Sequence, residues 1–278
     1  FWNCKMKIID AHLHFWPGEP YFDEIALAAE HQNTEKHLYE QYQAHEIIMG
    51  IVMGNDTLEK ERHRYPPYLR YCIGLDSNFA AQHSLQSAVD QVEWHLQQPG
   101  CVGIKLYPGY CRGYVSDKQY RPYYELARQY RKPVAIHTGA TAGAEACLKY
   151  SHPMTVDEIA TEYADVQFVL CHFGSPWVQD AAAVMAKNEN VAADLSGLLE
   201  GCPDLSALWK EQSAFFAYLK MWMAYLGRYD RLMFGTDWPL VNLPLYICFI
   251  QRLVPEHVWK KVFFDNANRI YQLHLDKQ

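Results

Sequence analysis

The sequence lacks any run of about 18 consecutive apolar residues, so no segment reads as a helix crossing a bilayer. It opens without the basic-then-apolar pattern of a secretory leader, and a cytoplasmic location is the expectation. Basic residues are outnumbered, 25 Lys and Arg against 32 Asp and Glu, with a formal net charge of -7 and no basic stripe. Nucleic acid and anionic membrane are therefore poor partners, whereas a small anionic substrate is still open, because the field at a site can differ from the net charge. None of the eight cysteines forms a CxxC pair. Cys72 in YLRYCIGL and Cys171 in FVLCHFG lie in apolar runs, which suits buried free thiols in a reducing compartment and excludes a disulfide framework. No GxGxxG follows the first β-rich run, and there is no Walker loop, GxSxG elbow or HExxH. Low-complexity tracts and linkers are also missing, so residues 1–278 read as one domain. Met6 is a candidate natural start, with residues 1–5 then foreign to the natural chain.

What is present is an alternation of short β-rich runs and longer helical stretches. With 50% hydrophobic and 21% charged residues the composition is that of an ordinary globular domain. Eight runs read as strands: 7–14, 47–54, 68–75, 101–107, 133–139, 167–174, 190–197 and 231–237. Each is short, mostly apolar and rich in Val, Ile, Leu or aromatics, as strands buried on both faces are. Residues 84–97 carry Leu85, Ala88, Val89, Val92 and Leu96 at helical spacing. Residues 118–130 are a second amphipathic helix, and Pro255 can start the last one. Thr155 with Glu158 predicts a capping box, and Ser175-Pro176 predicts a cap with proline at the first helical position. Two connections are long. Segment 15–45 should hold at least one helix, and segment 198–230 holds Trp209, Phe215, Phe216, Tyr218, Trp222 and Tyr225, which suit core, lid or the contact of a homodimer. Eight strands separated by helices predict parallel βαβ units closed into a single-domain (β/α)8 TIM barrel of the α/β class, a fold of roughly 250 residues.

The chemistry lies in where polar residues interrupt this pattern. Active sites of such barrels sit at the C-terminal strand ends. There the sequence places His12 and His14 on strand 1, His137 on strand 5, His172 on strand 6 and Asp237 on strand 8. Positions i and i+2 of a strand share a face, so His12 and His14 can approach one ion. Imidazole and carboxylate ligands suit Zn(II), the expected ion, with Mn(II) as the alternative. Such an ion lowers the pKa of bound water towards about 7. Asp237 is placed to be both ligand and proton relay, and His172 could orient substrate and stabilise developing negative charge. Asp10 shares the phase of His12 but sits deeper, in a supporting position.

The segments IIDAHLHF, GIKLYPG, AIHTG, LCHFG, DLSG, FGTDWP and NANRIYQL, in this order over residues 7–273, resemble the amidohydrolase superfamily. The resemblance is to its amidohydrolase-related branch, which includes aminocarboxymuconate-semialdehyde decarboxylase. It implies a mononuclear metal held by His12, His14, His137 and Asp237, with His172 catalytic and not a ligand. Some binuclear relatives bridge two metals with a carboxylated strand-4 lysine. In this branch Lys105 is expected to be structural or to touch substrate. Tyr107, Arg112 and Trp238 are further substrate-binding candidates, Arg112 as a bidentate grip on a carboxylate and Trp238, with Ser196, at the mouth. Asn55, Asp56, Asp76 and Asn78 follow strands 2 and 3 and are weaker candidates. The remaining histidines read as surface or structural.

The resulting expectation is a hydrolase in which activated water attacks a small ester, lactone or amide, Asp237 takes the proton and His172 stabilises the oxyanion. A non-oxidative decarboxylase is the alternative, since the branch holds both chemistries. A metal-free lactonase and a ligand-binding barrel without catalysis are the other readings.

Overall fold

The computed structural model describes residues 6–54, 57–75 and 84–276. Asn55, Asp56, Asp76, Asn78, Cys4 and His83 lie outside these.

Eight parallel strands run in sequence order: Ile8–Leu13 (β1), Ile47–Met53 (β2), Leu69–Leu75 (β3), Cys101–Leu106 (β4), Val134–Ile136 (β5), Phe168–Leu170 (β6), Val191–Asp194 (β7) and Leu232–Met233 (β8). Main-chain hydrogen bonds from Ala11 to Phe234, from Asp237 to His12 and from His14 to Trp238 join β1 to β8 and its continuation. The result is the expected α/β TIM barrel. Side-chain alternation builds two cores. Val134, Ile136, Phe168, Leu170, Val191 and Ala193 pack outward against helical residues such as Tyr124, Ile159 and Ala182. Ala135, Val169 and Ala192 face the other way, with Ile9, Ile51, Cys72 and Met233. Two residues further along these inner rows stand His137, Cys171 and Asp194, so the phase that fills the barrel also aims polar groups at its C-terminal mouth.

The strands end earlier than the sequence suggests. His137, His172 and Asp237 lie just beyond β5, β6 and β8. His172, Phe173 and Asp237 have φ of 62°, 46° and 56°. A left-handed turn of this kind takes the backbone out of the ladder and is uncommon outside glycine.

Two helix starts also differ from expectation. Thr155 has helical φ/ψ and makes no side-chain cap, because a 3-10 turn at Pro153–Thr155 already begins the helix, and His152 accepts from the Met154 amide. Ser175 does not cap the following helix, which spans Val178–Lys187 with Trp177 at its start. By contrast Ser84 does cap the helix Leu85–Leu96. Segment 15–45 holds two helices, Pro20–Ala28 and Glu35–Ala44. In segment 198–230 the helices Leu205–Glu211 and Ser213–Leu226 bury Phe216, Leu219 and Met223 and expose Met221 and Tyr225. All the described cysteines are free, with Cys72, Cys101 and Cys171 buried and Cys248 exposed. Among the described residues no helix is long and apolar enough to cross a membrane.

Candidate active site

At the C-terminal mouth of the barrel His12 and His14 converge on one carboxylate oxygen. The Nε2 atoms of both lie 3.2 Å from Asp237 Oδ1. Their other nitrogens are fixed from behind. His12 Nδ1 is 2.9 Å from Asp194 Oδ2, and His14 Nδ1 is 3.2 Å from the Met53 carbonyl. Both partners only accept, so each Nδ1 carries a proton, and Nε2 is the nitrogen each ring turns towards Asp237. His137 is turned the other way. Its Nε2 donates to the Ala140 carbonyl at 3.0 Å, leaving Nδ1 as the open nitrogen. His172 Nδ1 lies 3.2 Å from the Ser196 carbonyl and 2.9 Å from Ser196 Oγ, which itself donates to Asp194, so Nε2 of His172 is unprotonated.

Asp194 ties these groups together. Its Oδ2 accepts from His12, and its Oδ1 accepts from the His172 and Ser196 amides at 3.0 and 3.1 Å and from the Ser196 hydroxyl. The sequence reading assigned it no site role. The one signal available was a carboxylate inside the apolar run NVAADLSG. Asp10 lies below, accepting from the Thr236 amide and hydroxyl and from the Tyr42 hydroxyl at 2.9, 2.6 and 2.9 Å. That fixes the turn that carries Asp237. Burial raises the Asp10 carboxyl to about 6 against these hydrogen bonds. Gly197 is required for close approach, because at its φ of +65° a Cβ would stand 2.6 Å from His172 Nδ1.

The electrostatics call for a cation. Burial lowers His14, pushes His137 well below the imidazole range with help from His172, and brings His172 to about 4. Burial alone would lower His12 too, but Asp194, with Cys171 and Asp237, holds it well above the usual range. Burial opposes ionisation of Asp237, yet His12 and His14 keep its carboxyl well below the usual range. His12 Nε2 and Asp237 Oδ1 are both buried without a hydrogen-bond partner. Two imidazole nitrogens facing one carboxylate oxygen is an arrangement that a shared proton or a metal ion relieves. The donor set fits a divalent metal. Ligand atoms of His12, His172 and Asp237 lie within 4.8 Å of one another. His14 adjoins this set through Asp237. The His137 ring stands 5.1 Å from that of His172, centroid to centroid. His172 is thus as near to His12 and Asp237 as a ligand would be, although the resemblance implies that it is not one.

These groups form the floor of a cavity of about 560 Å³, walled by Tyr21, Phe22, Tyr107 and Tyr110, with Glu145 and Glu200 among its lining residues. Lys105 is buried on its lining with Nζ 2.8 Å from Cys171 Sγ. Tyr107 lines it too, its hydroxyl donating to the Gly54 carbonyl at 2.8 Å. Two expected substrate contacts, Trp238 and Arg112, lie outside the cavity lining. Trp238 is 1% exposed and packs on His31 with ring centroids 4.5 Å apart, because the chain turns its ring away from the mouth. Arg112 is exposed and outside the lining, its guanidinium 3.4 Å from the Glu145 main-chain carbonyl.

Comparison with solved structures finds the same fold at low sequence identity. An uncharacterised TIM-barrel protein from Bordetella bronchiseptica superposes with a TM-score of 0.72 at 19% identity, over 96% of this chain and 99% of that one. A probable 2-pyrone-4,6-dicarboxylic acid hydrolase from Acinetobacter baumannii gives 0.64 at 16% identity, over 96% and 100%. The 2,6-dihydroxybenzoate decarboxylase from Rhizobium gives 0.64 at 15% identity, over 96% and 99%. No curated protein matches the chain in sequence. The amidohydrolase family model, however, matches residues 9–273, nearly the whole chain and all eight strand ends but the first residue of β1. The chain belongs to the amidohydrolase family.

Proposed function

We propose that the protein is a metal-dependent hydrolase of a small ester, lactone or amide. The observation that carries this reading is the facing pair of buried, unpartnered atoms, His12 Nε2 and Asp237 Oδ1, beneath an open cavity. His12, His14, His137 and Asp237 would hold one divalent ion, Zn(II) first and Mn(II) second. The ion supplies Lewis acidity to a substrate carbonyl and to water.

The side chains divide the remaining work. Asp237 Oδ1 faces two imidazoles, so this carboxylate serves better as a ligand than as the group that takes a proton. His172 suits the proton better than the sequence reading allowed. It is neutral, and its Nδ1–H is anchored on Ser196, so Nε2 can take the proton of the attacking water. The imidazolium so formed then favours the negative charge developing on the substrate oxygen and can return the proton to the leaving group. Asp194 and Ser196 keep the ring in the tautomer this requires.

A second reading, non-oxidative decarboxylation, draws on Lys105. Its ammonium lies on the cavity lining, where a substrate carboxylate could pair with it. Incorporation of oxygen from labelled water into product separates hydrolysis from carbon dioxide release. The test of the residue roles is His172→Asn. Turnover should fall by about 100-fold or more with metal content unchanged. Equal loss of metal would make His172 a ligand, and retained turnover would remove it from the chemistry.

A further inference from the structure

The cavity is charged unequally along its depth. Its floor carries Lys105 beside the imidazoles and Asp237, whereas Glu145 and Glu200 line it with exposed side chains. Among the described residues Lys105 is the sole lysine or arginine on the lining. Arg112 stands outside, against the Glu145 backbone. Tyr21 is half exposed on the wall, and its hydroxyl lies within the field of both Asp237 and Glu200. Tyr110 accepts from the Ala142 amide at 2.9 Å, so its own hydroxyl hydrogen is left to donate. Among the described lining residues, a carboxylate at the outer end of a substrate would meet two carboxylates and no guanidinium or ammonium.

We propose that the cavity selects substrates by the charge of the end remote from the reacting carbonyl, taking neutral or cationic groups there and rejecting anionic ones, with Glu200 and Glu145 as the selecting residues. This rests on the hydrolase reading for which end of the substrate faces the floor. Phenols on the wall suit an aromatic or hydroxylated body, and the volume suits a ligand of drug size or less. Each like-charge pair between solvent-exposed groups is worth on the order of threefold in affinity, less in high salt.

Three ketones test the selection without needing turnover: 4-(3-oxobutyl)benzamide, 4-(3-oxobutyl)-N,N,N-trimethylanilinium and 4-(3-oxobutyl)benzoate, titrated by calorimetry into the metal-loaded protein. The amide and the cation should bind about tenfold more tightly than the carboxylate. In the Glu145→Gln/Glu200→Gln protein, and in wild type at high salt, that gap should close to about twofold. A carboxylate that binds as well as the amide, a gap that survives both changes, or no binding by any of the three overturns the proposal. The corresponding acetate esters report separately on the reaction. If none of them is hydrolysed while the ketones keep the expected order, the hydrolase reading falls and the charge selection stands. If the esters are hydrolysed with no binding preference among the ketones, the reverse holds.

Discussion

Asp194 accepts four hydrogen bonds and so sets two histidines at once, His12 through Nδ1 and His172 through its amide and through Ser196. Asp194→Asn keeps the size but not the acceptors. With its oxygen retained at the Oδ1 position, the new amide nitrogen would face His12 Nδ1 and force the proton to Nε2, removing a lone pair from the ligand set. Metal affinity should drop by about 10- to 100-fold, as for other outer partners of metal-bound histidines. Titration with a competing chelator measures this, with circular dichroism to confirm the fold. Unchanged affinity would reduce Asp194 to a purely structural group. The five residues His12, His14, His137, His172 and Asp237 were legible in the sequence because each interrupts or ends an apolar strand. Asp194 was not, because a single strand says nothing about which neighbour's imidazole its carboxylate will meet. Trp238 lies off the lining for a related reason: adjacency to Asp237 in sequence does not fix the direction of a ring after a left-handed residue.

At the level of elements, all eight strands were legible from their composition, and most discrepancies lie at their ends. The backbone leaves the ladder at His172 and Asp237 with positive φ, which no hydrophobic pattern records. The helix starts at 153–156 and 175–178 differ because a 3-10 turn at Pro153–Thr155 already begins the first helix and the second starts later, after Trp177. A buried histidine links one helix to the barrel. His95 of Leu85–Leu96 faces the Leu58 carbonyl through Nε2 at 2.7 Å and the Tyr71 hydroxyl through Nδ1 at 2.8 Å. The Leu58 carbonyl takes the Nε2 proton and the Tyr71 hydroxyl can donate to Nδ1 of the neutral ring, and burial lowers its pKa from 6.5 to about 4. The unfolded chain therefore binds a proton that the folded chain refuses between these values. Stability from this group is complete above about 6.5 and is lost as pH falls through about 4. Between pH 7.5 and pH 5 the loss is about 2 kcal/mol. Urea unfolding of wild type and His95→Gln should show the wild-type advantage shrinking by that amount at pH 5. An advantage independent of pH would mean that His95 is not held neutral.

For the whole molecule, the order of strands and helices sufficed to give the barrel, since parallel βαβ units leave few other ways to close eight strands. What it left open is what loops and surfaces decide. The charge of the cavity depends on Glu145 and Glu200, which stand 55 positions apart and line one cavity only in the fold. A homodimer through segment 209–225 is proposed on the exposed Met221 and Tyr225, and light scattering should read two chains. The central claim is that the mouth of the barrel is a mononuclear metal centre, and metal content of protein purified without chelators tests it most directly, with His12→Ala as control. The account predicts about one zinc or manganese per chain in wild type and little in the variant. Folded protein that holds no metal and takes none up on reconstitution would contradict it.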